Sequence, residues 1–292
     1  MEDRIVGVAA ALGSAASWAL GSILFKKLGD ELPPIALTFA KGVVGALLLA
    51  LAMVPLGFQP METRPFLLLV LSGLLGIAAG DTFFFLALRN LGAHAIVVLL
   101  TLGQVLTLLL AVLWLGERPS AVQWLGIALV VTGVTIVMWL RLSDEGSSGL
   151  AGLAWGLAAV VAMAVSIIIA KEALATVNSM QATLVRMAAG TAGIALFGQA
   201  TRQLAGFLTP LRQPRFAGFF LMSVGVITFG GFWLSLLAIE KIEVTIANTL
   251  GSTEPLFVLP LAAVLLKEHI TPGVVLGSTL AVLGIVFMVA PW

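Results

Sequence analysis

Four ionisable side chains fall inside otherwise apolar stretches of this sequence: Lys41, Asp81, Arg186 and Glu254. A charge within a bilayer-length apolar segment is costly, so it faces a protein interior or a water-filled cavity. There it can carry a proton or cation, or counter the charge of a solute. Glu254 is followed at once by Pro255, with Pro260 five residues later, in NTLGSTEPLFVLPLAAVLLKE (248–268). Each proline removes a backbone N–H, and the carbonyls so freed are tolerated at membrane depth only when buried in protein or lining a cavity. Charge and broken backbone coincide near the middle of one segment, where secondary transporters place a solute site. Glu254 is expected to hold a proton, a cation or a solute amine, with helix pinning as the alternative.

Uncharged partners surround it in the sequence. Asn248 and Ser252 are four apart, and Pro255 continues their helical face. Thr101 and Gln104 make a similar stripe in an earlier segment, where the amide could hydrogen-bond solute or a neighbouring helix. Asp81 follows Gly76 and Gly80, whose spacing permits close helix packing, and could pair with Lys41 or Arg186 or face a cavity. Lys41 and Arg186 are expected to be structural or gating residues, or to snorkel to the interface. Pro255 and Pro260 join them in that structural or gating group. Trp18, Trp155 and Trp233 lie well inside apolar segments and could stack on an aromatic or cationic solute.

Catalysis is not expected. The remaining aspartates (Asp3, Asp30, Asp144) lie outside the apolar segments, so no carboxylate dyad forms with Asp81. His94 and His269 fall near loops, no HExxH or phosphate-cradling GxxxxGK[ST] run occurs, and cysteine is absent. No cofactor or metal is implied. A formal net charge of +1 offers no basic patch for nucleic acid.

The elements that must position these residues are transmembrane helices. The 292-residue chain is 60% hydrophobic and 10% charged, far from the composition of a soluble domain. The pattern predicts an all-α membrane protein with ten spans. They lie at 5–26, 34–56, 66–89, 93–115 and 121–141, then 150–171, 178–200, 216–239, 243–266 and 272–291, each about the length that crosses 30 Å of hydrocarbon. The polar run SDEGSSG (143–149) reads as a flexible linker between halves. The first span reads as a retained helix, since MEDR is not a basic leader and Lys26-Lys27 closes it as anchors would.

Shifted by 151 residues, the later part of the first half falls on the second. Gly80 meets Gly231, Glu117 meets Glu268, Gly126 meets Gly277 and Gly133 meets Gly284. The earlier part aligns at 145, pairing Lys41 with Arg186 and Gly45 with Gly190. Five spans per repeat is an odd number, so the second repeat must enter the membrane from the opposite side. Such inverted repeats can exchange conformations and alternate access.

Two five-span halves, each with a Glu closing its fourth span (LWLGE, 113–117; VLLKE, 264–268), resemble the EamA family of the drug/metabolite transporter superfamily. STEPLFVLPLAAVLLKE is similar to that family's fourth-span signature, and LGIALVVTGVTIV and LGSTLAVLGIVFMV to its fifth. The resemblance implies repeats at 5–141 and 150–291 joined by 142–149. It also implies a secondary transporter in the cell (inner) membrane, akin to the aromatic amino-acid exporters, moving amino acids or related metabolites outward. The family also includes drug and nucleotide-sugar carriers. Gly103-Gln104 stands where the second half has Glu254-Pro255, so the repeats are not equivalent there. Expected partners are a small-molecule solute and the lipid bilayer, with a monomer sufficient; a passive channel is the rival reading. Loop Lys and Arg residues mildly favour termini outside the cell. The resemblance implies cytoplasmic termini, which is the expectation adopted.

Overall fold

The structure is a computed structural model that describes residues 2–100, 102–103, 105–106, 109–110, 120–145, 147–202, 214–242, 247, 250–251, 253–267 and 271–289. Its regular elements are helices throughout. They are α1 Glu2–Leu28, α2 Pro34–Leu56, α3 Thr63–Leu91, α4 Ala93–Leu100, α5 Ala121–Glu145, α6 Ser147–Ala173, α7 Ser179–Ala200, α8 Pro214–Lys241, α9 Glu254–Leu261 and α10 Pro272–Val289. Hydrocarbon offers the backbone no water to bond, so an apolar chain satisfies its N–H and C=O groups within helices. Among the described residues, six helices are long and apolar enough to cross a membrane: residues 4–28, α2, α3, residues 149–173, α7 and α8. Expected spans 93–115, 243–266 and 272–291 lie partly outside the described residues.

The ends are set by local chemistry. Pro34 begins α2, where its missing N–H costs nothing, and the Asn178 side chain accepts from the Gln181 amide at 2.9 Å to cap α7. Gly57 and Gly92 follow α2 and α3 at φ +76° and +80° with extended ψ, a region open essentially to glycine alone. Several helices overrun their expected ends by two to four residues, because polar flanks beyond the hydrocarbon remain helical. The expected linker at 142–149 is therefore mostly helix, with α5 reaching Glu145 and α6 starting at Ser147.

Element bounds recur between the two halves. Both ends of α1 and α6 differ by 145 residues, and α3 and α8 begin 151 apart, as do α5 and α10. Both α3 and α8 widen into a π-helix at mid-length, over Leu74–Asp81 and Val226–Trp233. Packing repeats as well. Helix α3 lies along α6 as α8 lies along α1, and α2 meets α7 while α5 meets α10, the pattern of a pseudo-two-fold. At the α5–α10 crossing a Cβ on Gly277 would lie 2.7 Å from the Gly133 carbonyl oxygen, and one on Gly284 2.6 Å from that of Gly126. Only glycine permits this approach. The outer surface carries large apolar groups such as Leu51 (70% exposed) and Leu196 (72% exposed), as a lipid-facing surface would.

Candidate functional site

The polar centre forms where α2, α3 and α7 meet, walled by α1 and α8. Lys41 lies seven residues into α2, and Asp81 ends the π-helical stretch of α3; they are 1% and 2% exposed. The Lys41 ammonium donates to the Asp81 carboxylate in a buried ion pair. It also lies 4.7 Å from the Phe232 ring centre and 5.4 Å from that of Phe85, where ring faces favour a desolvated cation. Snorkelling, the alternative for Lys41, does not occur; its carboxylate partner holds it inside.

Arg186, the counterpart of Lys41 in the second half, is 5% exposed and lacks an equivalent acid. A shift of 151 takes Asp81 to Phe232. Arg186 Nη2 instead donates to Ser166 Oγ at 3.0 Å, while its Nε has no partner among the described residues. Ser166 and Ser72 lock α6 to α3 reciprocally, each hydroxyl donating to the other's backbone carbonyl at 2.7 Å. Asp81 feels the charge of Arg186 as well as that of Lys41. Lys41 and Arg186 are thus both buried, and of the two only Lys41 pairs with a carboxylate among the described residues.

A cavity opens beside the pair, bordered by Trp18, Ser22, Lys41, Asp81, Phe84 and Phe85. About 10 Å3 is available to a water centre, room for roughly one molecule. Trp18 is oriented by an edge contact with Phe232, centroids 4.8 Å apart, and by its indole N–H donating to Ser235 Oγ at 3.3 Å. Toward the face away from the amino terminus lies a second cavity of about 50 Å3, bordered by Lys26, Asp30 and Arg89.

Of the expected site residues, the structure brings together Trp18, Lys41 and Asp81, with Arg186 nearby. Trp233 packs edge-on against Phe229 at 6.4 Å, and Trp155 stacks on Phe83 at 5.4 Å while remaining 38% exposed. Glu254 opens α9 after a turn at Thr253, whose hydroxyl donates to the Leu250 carbonyl at 2.7 Å. Helix α9 packs on α1 and α4, and Glu254 is half-buried and does not border the cavity beside Lys41. Pro255 takes the second position of α9, where it costs no helical hydrogen bond, and Pro260 is exposed inside the helix. Thr101, Gln104, Asn248 and Ser252 lie outside the described residues.

Sequence reasoning missed the aromatic walls. Phe84 and Phe85 follow Asp81 by three and four residues, the spacing that places them on its helical face, and that signal stood in GDTFFF. It also missed the Ser72–Ser166 lock, for which each serine alone inside an apolar run was the available sign.

Comparison with known proteins finds the EamA-like transporter family matching twice, over residues 5–139 and 150–290. An uncharacterized transporter of Archaeoglobus fulgidus is 24% identical over 273 residues, covering 93% of this chain and 94% of that protein. UDP-galactose transporter homolog 1 of Emericella nidulans is 41% identical over 69 residues, only 22% of this chain and 16% of that one. A crystal structure covers 98% of this chain and 96% of its own with a TM-score of 0.65 at 17% identity, a likeness of fold alone.

Proposed function

Because this chain belongs to the EamA-like transporter family, it is a multi-pass membrane transporter, and we propose that it exports small organic solutes, foremost amino acids or related metabolites, across the cell membrane. It does so by alternating access between two inverted five-helix repeats, 5–141 and 150–291, that together make ten spans. The observation that carries the solute class is the buried Lys41–Asp81 pair beside an aromatic-walled cavity. Opening a buried pair strands both charges, at a cost of several kcal/mol each. A solute with only one charge relieves one of them. A zwitterion supplies a carboxylate to Lys41 and an ammonium to Asp81 together, and Trp18, Phe84 and Phe85 offer faces for its side chain. This supports the amino-acid reading and, through the rings, the likeness to aromatic amino-acid exporters.

A second reading draws on Arg186, whose Nε has no partner among the described residues, and on the partial match to UDP-galactose transporter homologs: a nucleotide-sugar carrier. Uptake into proteoliposomes separates them, using labelled amino acids, amines and nucleotide sugars with or without unlabelled solute trapped inside. Saturable, trans-stimulated amino-acid uptake supports the proposal. Uptake confined to nucleotide sugars replaces it, and non-saturable flux indifferent to trapped solute makes the protein a channel.

A further inference from the structure

The inner cavity beside Lys41–Asp81 and the outer cavity beside Lys26, Asp30 and Arg89 have two bordering residues in common, Phe25 and Phe85. These rings lie with centroids 5.3 Å apart at 45°, and are 2% and 4% exposed. We propose that Phe25 and Phe85 form a gate, and that solute passes between the outer vestibule and the Lys41–Asp81 cavity by parting them.

Three observations support this route. The vestibule is charged, with about five times the water-accessible space of the inner cavity, so a polar solute can wait there solvated. The frame around the rings is fixed: Lys26 Nζ donates to the Leu88 and Arg89 carbonyls, each at 3.1 Å, tying the end of α1 to the end of α3. Rotation of two ring side chains, not separation of those helices, then opens the way. The opposite face is fastened between halves instead. Gln181 and Gln59 exchange hydrogen bonds, side-chain N–H to carbonyl at 2.8 Å and backbone N–H to side-chain oxygen at 3.2 Å, and Arg64 pairs with Glu172. In this arrangement the two rings are the residues that border both the inner cavity and the vestibule.

The gate rests on the transporter reading, but its test does not require transport. The chain has no cysteine, so single introduced thiols report without background. Ser22 borders the inner cavity and Asp30 the vestibule. Ser22→Cys and Asp30→Cys variants of the full chain are reconstituted in vesicles and exposed on one side at a time to a small charged methanethiosulfonate. Asp30→Cys should label from the vestibule face at one rate whatever residue stands at 85. Ser22→Cys should label slowly from that face in the native background. A gate open in 0.1–10% of molecules gains about tenfold or more in labelling rate when one ring is removed, in Phe85→Ala or the milder Phe85→Leu. Unchanged labelling of Ser22→Cys in both ring variants, with Asp30→Cys still reactive, would overturn the gate. So would labelling of Ser22→Cys only from the terminal face. Absence of amino-acid uptake by the chain with native Phe85, with the labelling pattern intact, would count against the solute assignment and leave the gate standing.

Discussion

Neutralising Asp81 is the sharpest perturbation available. Breaking a buried ion pair by removing one partner costs about 3–5 kcal/mol, because the remaining charge keeps its desolvation penalty. The two single changes are not equivalent here. In Lys41→Met the stranded Asp81 retains the field of Arg186, which places its cost at the lower end, about 3 kcal/mol. In Asp81→Asn the buried Lys41 ammonium loses its paired carboxylate and Arg186 a neighbouring negative charge, which places the cost at the upper end, about 5 kcal/mol. With about 2–4 °C of melting temperature per kcal/mol, and less for a longer chain, the losses are up to about 12 °C and 20 °C. The double variant Lys41→Met with Asp81→Leu removes both charges of the pair and leaves Arg186 with Ser166; it should lose much less than the sum of the singles, since apolar replacement of a buried pair is often neutral or better. Melting in detergent followed by tryptophan fluorescence measures all three, and seven tryptophans supply the signal. If Asp81→Asn melts within about 2 °C of the native chain, or the double variant loses the full sum, the account of the centre as coupled buried charges is wrong.

Four further outcomes follow from the geometry. Ser166→Ala takes away the acceptor of Arg186 Nη2 and a donor to α3, and should cost about 1–3 kcal/mol in the same melt. Gly277→Leu must push α10 off α5, because its Cβ meets the Gly133 carbonyl; it should lower the melting temperature, whereas Gly218→Leu, which faces open space, should not. Trp18→Ala should raise the half-saturating concentration for uptake, while Trp155→Ala, which does not border the cavity and is partly exposed, should leave it unchanged. Glu254→Gln separates coupling from scaffolding: a carrier that uses this carboxylate loses the dependence of uptake on an imposed pH gradient but keeps exchange, and unaltered gradient dependence makes Glu254 structural.

The broad fold was legible because its causes are local and repeated. Runs of about twenty apolar residues announce spans individually, and the matched glycines Gly126, Gly133, Gly277 and Gly284 announce the repeat. Those glycines are matched because they meet one another across the α5–α10 crossing. The site was legible only in part. That Lys41 and Asp81 are buried follows from their surroundings in sequence, but which partner each takes depends on the approach of α2 to α3, which no local pattern encodes. The paired prolines drew attention to Glu254, whereas the buried cluster of opposite charges formed around Asp81. The π-helical stretches were illegible for a different reason. An i→i+5 turn differs from its neighbours by a single residue of register, and composition alone does not mark it.

The replacement of Asp81 by Phe232 at the equivalent position of the second half has a kinetic consequence. In a carrier whose halves exchange roles, two identical repeats would make the inward- and outward-facing forms equal in energy. If the repeats of this chain exchange roles as proposed, one basic residue has an acid in its own repeat and the other only an aromatic ring, so the two forms would differ and the empty protein would rest preferentially facing one compartment. An uncoupled carrier of this kind cannot alter the final distribution of its solute. It would nevertheless show unequal half-saturation from the two sides, balanced by unequal maximal fluxes, and work as a directional device by rate while remaining a neutral one at equilibrium.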